Sequence, residues 1–127
     1  LSDCLARPFD SSTEKSLMTH RFGISGTDPA WNPIPQSPGT ASTPVPTDRG
    51  QLPYRLAKWK AQPGTYERPS GMGWSETFVV YAGRGRLRTP QETVELSPGV
   101  VVDLRKGLPY VLEIDETLEK MAVITLE

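Results

Sequence analysis

Gly64-Thr-Tyr-Glu-Arg-Pro-Ser-Gly-Met-Gly-Trp-Ser-Glu-Thr-Phe-Val-Val-Tyr-Ala-Gly83 is the stretch whose reading decides the fold. It starts at the Pro63-Gly64 turn, bends again at Gly71-Met72-Gly73, and ends in an apolar strand that stops at Gly83-Arg84-Gly85. Pro-Gly and paired glycines punctuate short strands. Thr65–Arg68 therefore reads as one strand, with Tyr66 and Arg68 on one face and Glu67 on the other. Ser75–Ala82 reads as the next, and its only acidic side chain is Glu76, at its start. Side chains alternate along a strand, so if Glu76 faces the interior of a small barrel, Phe78 and Val80 follow it inward.

The same grammar extends outward. In Tyr54–Ala61, Ala57, Trp59 and Ala61 alternate with Lys58 and Lys60, which puts Trp59 on the buried face. Arg84–Thr89 and Glu92–Leu96 flank Pro90-Gln91 as a hairpin, and Ser97-Pro98-Gly99 turns into the apolar strand Val100–Leu104. Arg105-Lys106-Gly107 leads to Pro109–Ile114, and Asp115-Glu116 turns into the last strand, Leu118–Leu126. Roughly seven or eight short strands with turn chemistry between them indicate an all-β sandwich or barrel. The 13 prolines and 11 glycines leave little room for long helices.

The 127 residues make one domain's worth of chain in three parts. Residues 1–27 read as a flexible N-terminal extension; residues 1–17 are polar and without periodicity, either frayed or partly foreign to the natural chain, with Met18 a candidate start. Residues 28–53 are a Pro-rich arm in which neither a helix nor a central strand is expected, and Trp31 and Ile34 argue that it packs on the barrel. Residues 54–127 are the barrel itself. The formal net charge of −1 gives no footprint for nucleic acid or an anionic membrane, and no apolar run spans a bilayer. The first residues lack a secretory pattern, and the single cysteine, Cys4, has no partner within the chain. A reducing, cytoplasmic compartment is the expectation. The single histidine, His20, has no neighbouring Cys, His or carboxylate and reads as an exposed residue of the extension.

The order of turns, strands and glycines resembles the cupins, jelly-roll barrels built as a double-stranded β-helix. The first cupin motif runs from a glycine through His-x-His and a Glu to a second glycine, and Gly64, Ser70, Met72, Glu76 and Gly83 stand at its offsets. The second motif runs from a glycine through Pro-x-Gly and a His to an Asn, and Gly99, Arg105, Gly107, Tyr110 and Ile114 stand there. Ser70, Met72 and Tyr110 thus hold the places of the family's three histidine ligands, and only Glu76 keeps its type. A hydroxyl, a thioether, a phenol and one carboxylate suit Mn, Fe, Ni or Zn poorly, so no metal and no other cofactor is expected. Within the superfamily the chain is similar to a small single-domain branch that includes ureidoglycine aminohydrolase and the ethanolamine-utilisation cupins. The likeness lies in Trp59…Pro63-Gly64-Thr65-Tyr66, in Glu76 before its strand, in Pro98-Gly99, and in Lys106-Gly107…Glu119-Lys120…Val123-Ile124.

Barrel geometry gathers Trp59, Tyr66, Arg68, Met72 and Phe78 around Glu76 and Tyr110 as an aromatic-walled lumen for a small polar or ring-bearing ligand. If the protein is an enzyme, Glu76 and Tyr110 are its acid/base pair, of hydrolase, isomerase or lyase type, and Arg68 anchors a substrate carboxylate. The plainer alternative is that Glu76 and Arg68 neutralise each other at the barrel mouth while Trp59 and Tyr66 fill the core. A third reading is an assembly subunit working through its outer surface. The alternating Arg84, Arg86 and Arg88 read as a solvated stripe, with a phosphate or partner site as the alternative. No Gly-x-Ser-x-Gly, phosphate-loop, dinucleotide or Cys-x-x-Cys pattern occurs. The default assembly is a homodimer, with the Trp31–Pro46 arm able to cover an open sheet edge of a neighbour.

Overall fold

The computed structural model describes residues 30–46 and 52–125, and the expectations for the N-terminal extension, Cys4, Met18 and His20 lie outside them. Eight strands follow in chain order: β1 (Asn32–Pro33), β2 (Thr40–Pro44), β3 (Arg55–Ala61), β4 (Gly64–Arg68), β5 (Ser75–Arg88), β6 (Thr93–Leu96), β7 (Val101–Leu104) and β8 (Tyr110–Thr125). All pairings are antiparallel. The described residues contain no helix, so none that is long and apolar enough to cross a membrane.

Two long strands organise the rest. β5 and β8 pair along nearly their whole length, from Ser75↔Thr125 to Arg88↔Val111. Each serves two further partners, one per half. On β8, Tyr110–Ile114 pairs with β4 and Leu118–Ile124 with β3; on β5, Glu76–Val79 pairs with β7 and Gly85–Arg88 with β6. The sheet therefore folds over at the middle of the long pair into two facing halves, β1-β2-β3-β8-β5-β7 and β4-β8-β5-β6, the jelly-roll arrangement. Phe78, Val80, Leu87, Leu96, Leu104, Leu112, Ile114 and Leu118 fill the space between them. Alternation along β5, with Phe78 and Val80 buried and Thr77, Val79 and Tyr81 exposed, confirms the period-two reading of that strand.

Three local expectations are corrected. Gly83 does not stop its strand: β5 continues to Arg88 through register shifts between Val80 and Gly85. Gly83 has φ +89°, and a Cβ there would sit 2.2 Å from the Thr117 carbonyl oxygen, so this glycine lets the bulge press against β8. Asp115-Glu116 is likewise not a turn but part of the uninterrupted β8, opposite that bulge. In the Pro-rich arm, β2 lies between β1 and β3, a paired strand where proline argues against one. Pro44 is exposed and ends the strand, which is how the ladder tolerates it. The arm thereby covers the edge of β3 in its own chain, and Lys60 Nζ lies 4.7 Å over the Trp31 ring.

Candidate functional site

Period-two alternation on three adjacent strands builds the floor of the site. Trp59 on β3 and Val80 on β5 are the cross-strand neighbours of Lys120 on β8, and Phe78 pairs with Ala122 two positions on. Leu118, Lys120 and Ala122 share the inward face, so a lysine enters the apolar row of β8. Its ammonium is 2.9 Å from Glu76 Oε2, with the two side chains only 6% and 8% exposed. It also lies over the Phe78 ring at 4.1 Å and the Trp59 ring at 4.8 Å. Trp74 Nε1 donates to the other carboxylate oxygen at 3.1 Å. A buried charge is costly unless paired and hydrogen-bonded, and both Glu76 oxygens meet that condition.

Above this floor opens a cavity of about 720 Å³. Of the residues expected around it, Trp59, Tyr66, Arg68, Met72, Glu76 and Tyr110 line the wall. Phe78 does not: it is 1% exposed and lies in the core beneath Lys120. Glu76 is neutralised by Lys120 rather than Arg68, which corrects the expected pairing. Trp74 and Lys120 complete the wall and were missed by the reading around Glu76. Their signal is the alternation itself, Trp74 being two residues before Glu76 and Lys120 lying between Leu118 and Ala122. The arm adds Ile34 and Val45 to the rim, and Leu52 and Pro53 extend it.

The aromatic walls are held by specific contacts. Trp59 and Tyr66 meet edge to face, with centroids 6.3 Å apart and planes at 82°. The Tyr66 hydroxyl donates to the Gln62 carbonyl at 2.6 Å, which pins the ring against the β3–β4 turn. Burial raises the Tyr66 pKa, so the phenol stays neutral. Tyr110 is cross-strand partner to Arg68. Burial, and then the Glu76 carboxylate, push the Tyr110 phenol up to about 12, against the opposing pull of Arg68. Tyr110 thus feels both Glu76 and Arg68 and remains a hydrogen-bond donor at neutral pH.

The donor set does not fit a transition metal. Ser70 is exposed on the turn after β4, away from the cavity wall. Met72 brings a thioether, Tyr110 a phenol held protonated, and Glu76 a carboxylate already engaged by an ammonium and an indole. Among the described residues, no three His, Cys, Asp or Glu side chains converge. Outside the barrel, Arg86 bonds Glu113 at 3.2 Å and Asp115 at 2.7 Å, and Arg88 bonds Glu113 at 3.0 Å. The arginine stripe is therefore largely occupied by carboxylates of β8.

Comparison with known proteins places this geometry. The model of the EutQ-like cupin domain matches residues 53–122, more than half of the chain. The polyketide cyclase RemF from Streptomyces resistomycificus superposes with a TM-score of 0.67 at 20% identity, covering 82% of this chain and 78% of that one. The cupin-2 domain Rru_A2000 from Rhodospirillum rubrum gives 0.63 at 17% identity over 95% of this chain and 78% of that one. The EutQ protein of Clostridium difficile gives 0.60 at 13% identity over 72% and 71%. These identities speak to the fold alone, and no curated protein matches the chain. A jelly roll with cupin glycine spacing and a EutQ-like match over residues 53–122 belongs to the cupin superfamily.

Proposed function

We propose that this cupin works without a metal and binds a small polar or ring-bearing molecule in its lumen. The observation that carries the reading is the buried Glu76–Lys120 pair at the floor of an aromatic-walled cavity of about 720 Å³. That volume lies within the range of small-molecule sites, about 300–1,000 Å³. A buried ion pair is seldom the most stable filling of a core, because hydrophobic residues of equal volume do as well or better. Its presence beside a cavity favours a role in recognition. Lys120 supplies a fixed cation next to the one carboxylate of the cupin ligand positions.

The alternative, with Glu76 and Tyr110 as acid and base, draws less support. Both oxygens of the Glu76 carboxylate are already engaged, by the Lys120 ammonium and the Trp74 indole, and a phenol at about 12 is a poor acid near neutral pH. A thermal-shift screen of small ring-bearing metabolites tests the proposal, run on the wild type and on Trp59→Leu. Compounds that raise the wild-type midpoint and lose the effect in the variant support it. A screen in which every stabilising compound acts equally on both proteins points to a site outside the lumen.

A further inference from the structure

We infer that the ligand of this cavity is a ring-bearing carboxylate whose anionic end seats on Arg68 and the Tyr110 hydroxyl; this rests on the reading of the lumen as a ring-binding site. Charge is unevenly distributed on the wall. Among its described residues, Glu76 is the only carboxylate, whereas Arg55, Arg68 and Lys120 are cationic. The whole chain has a formal charge of −1, so this excess is a property of the cavity and not of the composition. Lys120 is neutralised by Glu76, and the ammonium of Lys58, which also borders the cavity, lies 5.7 Å over the Tyr81 ring on the outer face. Arg55 is exposed at the rim.

Arg68 is half-buried on the cavity face. Its Nη1 donates to the Glu67 carbonyl at 2.9 Å, and among the described residues it forms no ion pair. A guanidinium has five N–H donors in a planar fork that matches a carboxylate, so one internal bond leaves the fork available. Arg68 and Tyr110 face each other across β4 and β8. Direct cross-strand neighbours on one face stand about 4.5–5.5 Å apart at Cβ, close enough for a guanidinium and a phenol to share one anion. The Tyr110 hydroxyl, kept protonated, adds a neutral donor beside the charged one. Trp59, Tyr66 and Trp74 supply the apolar surface for a ring. A ligand so placed has its charged end at the β4–β8 ladder and its ring against the indoles.

The test uses three isosteric probes titrated at pH 7.5 by calorimetry: 2-naphthoate, 2-naphthamide and 2-naphthylmethylammonium. A hydrogen bond to a charged group contributes about 1.5–3 kcal/mol. Naphthoate is therefore expected to bind about tenfold or more tightly than naphthamide, and the ammonium more weakly than either. Arg68→Gln brings naphthoate and naphthamide within about threefold of each other, and Tyr110→Phe narrows the gap by a smaller factor. Naphthamide binding as tightly as naphthoate overturns the anion subsite and leaves the ring-binding lumen standing. A naphthoate preference unchanged in Arg68→Gln also overturns it. Binding of none of the three removes the lumen reading and this inference together.

Discussion

The Lys120 ammonium stands 2.9 Å from the Glu76 carboxylate, and both side chains are more than nine-tenths buried. Removing one partner leaves the other charge uncompensated in an apolar setting, at a cost of about 3–5 kcal/mol. Lys120→Met and Glu76→Gln are each expected to lose stability on that scale. The double variant should recover most of the loss, because no orphaned charge remains. Urea unfolding of all four proteins gives the coupling directly, and strictly additive losses would show that the two groups do not act as a pair.

Gly83 is predicted to be the most sensitive glycine of the β5–β8 ladder. In Gly83→Ala the new Cβ meets the Thr117 carbonyl oxygen at 2.2 Å and must also adopt φ +89°. Gly99 has a similar φ of +98° with nothing within 4 Å, so Gly99→Ala reports backbone strain alone, about 1–2 kcal/mol. The expected order of unfolding midpoints is wild type, Gly99→Ala, then Gly83→Ala. Equal losses would mean that the bulge yields to the methyl group.

Acid sensitivity is expected to come from β8 and β7. Hydrogen bonds from Arg88 and Arg86 lower the Glu113 pKa, and those from Thr77 and Arg105 lower that of Asp103. A carboxylate lowered on folding contributes stability above its unfolded value, and that contribution is lost as pH falls through the folded value. Stability should therefore be flat near neutrality and fall below about pH 4. Glu113→Gln is expected to be less stable at pH 7 and to show a shallower acid limb in pH-dependent melts. A limb as steep as that of the wild type would assign the sensitivity to other groups.

The outer face of the same sheet carries an apolar row. Val79 pairs with Val101 on one side and Met121 on the other, and Val101 is 63% exposed. With Tyr81 and Val123 also exposed, this face is proposed as the contact of a homodimer. Val101→Glu should lower the solution mass to that of one chain and remove the concentration dependence that a dimer gives to the melting temperature. A single-chain mass already in the wild type at micromolar concentration contradicts the proposal.

Much of the fold can be read from alternation and turns. Phe78 and Val80 follow Glu76 inward because strand parity is local, and the cupin glycine offsets placed Tyr110 near Glu76. What alternation cannot show is which distant strand supplies a partner. Lys120 is 44 residues from Glu76, and only the β5–β8 register brings them together. Its position between Leu118 and Ala122 nevertheless marks a charge on an inward face. Gly83 and Asp115-Glu116 resemble strand ends because glycine and acidic pairs usually mark turns. Here tertiary pairing carries both strands through the bend. The proline-rich arm misleads in the same way, since Pro44 sits at the strand's exposed end.

Elemental analysis of the purified protein, equilibrated with Mn, Fe, Ni or Zn and then desalted, tests most directly whether Lys120 takes the cationic place beside Glu76. The expected result is no stoichiometric metal in the wild type. One metal per chain, lost in Glu76→Ala, would contradict it and return the barrel to metal-dependent chemistry.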